Sequence, residues 1–276
     1  MNKRLLKRGL GPVISIVPAI GIISTAFIYS ATCAAAADKA ASDAKKEPWQ
    51  LAQETEVWEP IPPVISSPAN GVPSDAIVLF DGKNLDQWQA VEGGGAAQWK
   101  VAEGAFTVVP KKGDIRTKES FCDVQLHIEW KTPTDFIGED GKPTESQGRS
   151  NSGVFFQERY EIQILDNYNN KTYPNGQVAS VYKQTIPLVN ASRAPGEWQT
   201  YDIIFTAPKF DSAQKLTTPG YVTVLHNGVV AQNHVEIQGA TEWIGKPVYK
   251  AHGCAPLRLQ DHGNLVSFRN IWVRKL

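Results

Sequence analysis

The chain has 276 residues, with 28 Lys and Arg against 28 Asp and Glu, so its formal net charge is zero. That balance excludes the basic excess of a nucleic-acid binder, and a 42% hydrophobic content excludes intrinsic disorder as the default. Eight Trp and eight Tyr suit a sugar binder, whose flat aromatic faces pack on sugar rings, and suit an ordinary aromatic core equally well.

In chain order, residues 1–37 read as a secretory signal. Lys3, Arg4, Lys7 and Arg8 make a positive start, an apolar run covers 13–28, and small residues fill 30–37 ahead of Asp38. Cleavage among the alanines predicts an exported protein, periplasmic or secreted, with no stable membrane span. An uncleaved anchor is the alternative, as is lipidation at Cys33. Residues 38–74 are rich in Ala, Lys and Glu and then in Pro, which predicts an extended linker.

From Asp75 to the end the pattern is one of short strands. Apolar or alternating runs cover 76–80, 99–102, 105–109, 124–130, 153–156, 160–165, 199–205, 221–225, 229–234, 257–260 and 266–273. Val124, Leu126, Ile128 and Trp130 alternate with Gln125, His127 and Glu129. Asn227-Gly228 marks a tight hairpin, because both residues readily take positive φ. No helical periodicity of ten residues follows the signal, so 75–276 is expected to be an all-β sandwich or barrel. Two polar loops, 133–150 and 167–182, are long enough to be functional.

The informative strand is Tyr160-Glu161-Ile162-Gln163-Ile164-Leu165-Asp166. Alternation places Glu161 and Gln163 on one face. A bulge at Ile164 and Leu165 would return Asp166 to that face beside them, and bulges often re-aim side chains near active sites. Paired carboxylates are what glycoside cleavage uses, although an exposed polar sheet face accounts for the same spacing. Leu259-Gln260-Asp261-His262-Gly263-Asn264 carries the most interesting of five histidines, or is simply an Asp-Gly turn. His127 could share the same groove or pair across strands. The remaining cysteines of the exported form, Cys122 and Cys254, allow one disulfide or two separate thiols. No metal-ligand cluster is legible.

At these residues the chain resembles the 3-keto-disaccharide hydrolase family over 75–276. The resemblance rests on Val78-Leu79-Phe80-Asp81-Gly82-Lys83-Asn84-Leu85 with Trp88, on Asn151-Ser152-Gly153-Val154-Phe155, and on the Glu161 strand. Gly196-Glu197-Trp198-Gln199-Thr200-Tyr201-Asp202, Val222-Thr223-Val224-Leu225-His226-Asn227-Gly228, the His262 segment and Phe268-Arg269-Asn270-Ile271-Trp272 complete it. It implies a concanavalin A-like jelly-roll sandwich of two antiparallel sheets, with the Glu161 strand on the concave face. It also implies a carbohydrate substrate, namely a glycoside already oxidised to a ketone at C3. One departure is Gln157, where many relatives carry Arg, which removes a cation for an anionic contact.

A C3 ketone acidifies the C2 hydrogen, so the glycosidic bond can break by elimination. That route needs a base, donors for the enolate and an acid for the leaving oxygen. Glu161, Asp166 and His262 are the catalytic candidates, with His262 or Glu161 as base. Asn151, Gln163, Arg159, Asp261, Arg269 and His127 are the candidates for substrate binding. No cofactor is legible, and a divalent cation at the ketone is left open. The alternatives are a retaining glycosidase of the same fold, whose Glu-x-Asp-x-x-Glu is here broken by Gln163, and a non-catalytic carbohydrate-binding module.

Overall fold

The computed structural model describes residues 46–69, 71–135, 137 and 141–276, and the chain divides into units 1–63 and 64–276. The signal segment 1–37, with Cys33, lies outside the described residues. Among them, no helix is long and apolar enough to cross a membrane. The linker region departs from the expected extended chain in one place, the short helix α1 (Pro48–Gln53). Pro48 presets the first helical φ, and the Gln50 side chain accepts from the Glu47 backbone N–H at 2.9 Å, closing a capping box. All the residues of α1 are exposed, and local chemistry supports it.

The unit 64–276 is a sandwich of two antiparallel sheets, as expected. Its first six strands are β1 (Ile77–Phe80), β2 (Trp88–Ala90), β3 (Lys100–Ala102), β4 (Ala105–Thr107), β5 (Ile115–Phe121) and β6 (Val124–Lys131). β7 (Ser152–Phe156), β8 (Tyr160–Ile164), β9 (Gln199–Thr206), β10 (Lys209–Phe210) and β11 (Leu216–Thr218) follow. β12 (Tyr221–His226), β13 (Val229–Glu236), β14 (Ala255–Leu259) and β15 (Ser267–Lys275) complete the chain. The larger sheet runs β13-β12-β9-β6-β15-β4-β3, with β1 also pairing β15. The smaller runs β2-β5-β14-β7-β8. β10 and β11 form a separate ribbon.

Alternation decides which side chains enter the core. Val124, Leu126, Ile128 and Trp130 of β6 are buried, and so are Tyr201, Ile203 and Phe205 of β9. They meet Val154, Phe156, Ile162, Ile164, Leu257 and Leu259 of the smaller sheet within one apolar cluster. Phe156 stacks on Phe205 across the sheets at 4.6 Å between ring centroids. The Asn227-Gly228 hairpin joins β12 to β13 with both residues at positive φ.

Cys122 and Cys254 form a disulfide, which the sequence had left open. The pairing of Ala255 with Phe121 brings them together, so the bond staples β5 to β14 at one end of the smaller sheet.

Candidate active site

The outward face of the smaller sheet carries a cavity of about 220 Å³. β8 supplies Glu161 and Gln163, β7 supplies Phe155, and β14 supplies Arg258. Loops contribute Asn151, Tyr182, Thr241, Trp243, Gln260 and His262. The register sets Phe155 beside both Glu161 and Arg258, and Gly153 beside Gln163, so residues from distant parts of the sequence face one opening.

Glu161 is 4% exposed. Its carboxyl packs over Gly153, where an added Cβ would stand 2.5 Å from Glu161 Oε1. The free edge of β8 is covered as well. Tyr182 N–H donates to the Glu161 carbonyl at 3.2 Å, and Glu161 N–H donates to Thr241 Oγ1 at 3.0 Å. Burial raises the Glu161 pKa to about 8; the Arg258 charge pulls it down and Asp114 pushes it up. It is the only carboxyl on the described wall of the cavity.

Arg258 is fixed by an ion pair with Asp114 and by lying 3.7 Å over the Phe155 ring. Gln260 lines the wall, and its Oε1 is buried with no protein partner. His262 is exposed, on the turn that Asp261 organises. Trp243 is 73% exposed at the rim, and Lys183 Nζ donates to its carbonyl at 2.7 Å. The two polar loops meet beside the site: Ser146 N–H donates to Asn170 Oδ1 at 2.8 Å, and Gln147 Nε2 to Thr172 Oγ1 at 2.8 Å.

Of the residues expected from the sequence, Glu161, Gln163, Asn151 and His262 share this cavity. The others do not line it. β8 ends at Ile164, so no bulge within the strand turns Asp166 back. The Asp166 carboxylate is buried and accepts from Arg149 Nε at 2.8 Å and from the Tyr168 N–H at 2.9 Å, which organises the following turn. Burial raises its pKa against the pull of those two donors. Asp261 accepts from the Gly113 and Gly263 N–H groups and so holds the His262 turn. Arg159 is used in the β7–β8 turn, donating to the Gln157 carbonyl at 2.7 Å. Gln157 itself is buried, with its amide on the Phe121 carbonyl.

His127 and Arg269 require a larger correction, because both lie on the outer face of the other sheet. β6 pairs with β9 and β15, so alternation sends His127 away from the core on the larger sheet. There its Nδ1 is 2.7 Å from Asp202, and its ring stacks on Trp272. Arg269 donates to Glu129 at 2.6 Å and lies over Trp198. Among the described residues, no group of three or more His, Cys, Asp or Glu could hold a metal ion. One buried carboxyl, one imidazole and several amides do not make a cage for a divalent cation.

A family model for the 3-keto-α-glucoside-1,2-lyase-like domain matches residues 75–274. The chain belongs to this family. A crystal structure from Parabacteroides distasonis ATCC 8503, of a protein assigned as a glycosyl hydrolase, has 54% identity and a TM-score of 0.77. The match covers 81% of this chain and 96% of that one. A second protein from that organism, assigned in the same way, has 21% identity and a TM-score of 0.53 over 73% of this chain and 94% of its own. At that identity the likeness concerns the fold alone. A search of curated proteins finds no match. Family membership and the first of these relatives support an enzyme acting on glycosidic bonds.

Proposed function

We propose that the protein cleaves 3-keto glycosides by elimination, with His262 as base and Glu161 as acid. The observation that carries this reading is the pairing of one buried carboxyl with one imidazole on a single cavity wall. A retaining glycosidase needs two carboxyl groups roughly 5 Å apart, and the described wall has only Glu161. Elimination needs one group to take a proton and another to give one.

His262 takes the C2 hydrogen, since histidine is the side chain suited to accept a proton near neutral pH. The electron pair is held as an enolate on the C3 oxygen, and the Arg258 guanidinium supplies positive charge for it. The enolate then collapses to a C1–C2 double bond, the C1–O bond breaks, and Glu161 delivers its proton to the departing oxygen. Addition of water across the double bond completes a net hydrolysis. The Gln260 side chain on the wall binds a hydroxyl, and the Trp243 face receives a sugar or aromatic aglycone.

The test is incubation with matched ordinary and 3-keto glycosides, reading free aglycone. Release from the oxidised substrate alone is expected, with exchange of the C2 hydrogen in deuterated solvent. Glu161→Gln and His262→Ala should each cut turnover by roughly 10² to 10⁴-fold while binding changes less. Equal release from both substrates indicates a conventional glycosidase, and binding without release indicates a carbohydrate-binding module.

We also infer export, supported by the segment 1–37 and by a disulfide suited to an oxidising compartment. N-terminal sequencing of the native protein should begin between Cys33 and Asp38. Retention of the first 28 residues would rule out cleavage.

A further inference from the structure

Gln163 is surrounded by amides whose own orientations are not free. Gln147 Nε2 donates to the Gly176 carbonyl at 2.8 Å. A backbone carbonyl can only accept, so the Gln147 nitrogen must face it and its Oε1 turns to Gln163, 3.1 Å away. Asn151 Nδ2 donates to the Gln147 carbonyl at 2.9 Å, which sets its Oδ1 towards Gln163 at 3.4 Å. Two oxygens on that side call for the NH2 group of Gln163. Its oxygen then lies 3.0 Å from Glu161 Oε1.

Two oxygens at that separation attract only if one carries a hydrogen, and an amide oxygen carries none. The reverse amide orientation would let Gln163 donate to Glu161 and to the Ser152 carbonyl, 3.2 Å away. It would also set the Gln163 oxygen against Gln147 Oε1 and Asn151 Oδ1, neither of which can turn. With Glu161 ionised each orientation leaves two oxygen–oxygen contacts; with Glu161 protonated the observed orientation leaves one, with the Ser152 carbonyl, which is the fewest of any arrangement.

We propose that Glu161 rests as the neutral acid, donating its proton to Gln163 Oε1, and that Gln147 is the positioning residue that imposes this polarity. The inference deepens the reading above, in which Glu161 protonates the leaving oxygen. Burial acts in the same direction, raising the carboxyl to about 8. The other titratable or charged groups facing Glu161 are Arg258 on β14, Asp114 ahead of β5, Tyr182 from the loop along β8, and His262. The Arg258 guanidinium is offset by its ion pair with Asp114. With that cation offset, burial and the amide chain both favour the protonated form.

The experiment is a pH titration of the full chain labelled with ¹³C at its glutamate carboxyls, followed by NMR. One carboxyl, missing in Glu161→Gln, should titrate near 8, apart from the rest. Gln147→Met removes the oxygen that pins Gln163, whose NH2 can then turn to the carboxylate. The midpoint should fall by about one pH unit, and the alkaline limb of turnover should move with it. Asn151→Ala removes the second oxygen and should move the midpoint the same way by less, which keeps the test alive if Gln147→Met does not fold. A Glu161 midpoint in the ordinary carboxylate range, or one unmoved in both variants, overturns the proposal. If Glu161 titrates as expected and 3-keto glycosides are not cleaved, the proton assignment stands and the functional reading fails.

Discussion

Replacing Glu161 by Gln abolishes a proton uptake that accompanies folding, and this changes how stability depends on pH. The carboxyl goes from 4.5 to about 8 on burial. Between those values the folded protein binds a proton that the unfolded chain has released. The unfolded state then binds fewer protons, so stability falls as pH rises through that window and is flat beyond it. At about 1.36 kcal/mol per pKa unit, the gap corresponds to ~5 kcal/mol above pH 8 and under ~1 kcal/mol near pH 5. Glu161→Gln has no such dependence. Its amide NH2 donates to Gln163 Oε1 in place of the acid O–H, so the packing over Gly153 is kept. The variant should gain on the parent by up to ~4 kcal/mol between about pH 5 and pH 9, read from paired urea unfolding curves. Other groups titrate alike in both proteins and cancel in the difference. A stability difference independent of pH would mean that Glu161 ionises normally in the folded protein, and the acid assignment would fall with it. A gain of this kind also fits a catalytic group held at the expense of stability.

Gly153→Ala drives a Cβ to 2.5 Å from Glu161 Oε1 and 2.8 Å from Phe155. It should destabilise by roughly 1–3 kcal/mol and lower kcat more than Glu161-independent binding, by thermal melting and steady-state kinetics. Reduction of Cys122–Cys254, which closes a separation of 132 residues, should cost roughly 2–5 kcal/mol, and calorimetry with and without reductant measures it. Trp243→Ala removes an exposed ring from the cavity rim and should raise KM by about 5-fold, on the order of 1 kcal/mol, with kcat little changed.

The alternation along 124–130, the Asn227-Gly228 turn and the ordered family motifs were enough to read a sandwich and a Glu161 strand from the amino acids alone, because each depends on neighbours only a few positions away. β5 escaped notice. Its residues Arg116, Lys118, Glu119 and Ser120 mask a pattern in which only Ile115, Thr117 and Phe121 enter the core. Yet β5 anchors the disulfide and holds β14 beside the site. Alternation reports that a side chain leaves the core and not which sheet it leaves from. This is why His127 and Arg269 looked like neighbours of Glu161, while Arg258, an ordinary arginine in a short strand, did not. Asp166 was misread for a related reason: the strand stops at Ile164, and Arg149 from a distant loop claims the carboxylate. Gln147, Tyr182 and Trp243 sit on loops with no periodicity to read. Their approach to Glu161 follows from strand pairings between segments as far apart as Phe155 and Arg258, and only the folded chain brings those together.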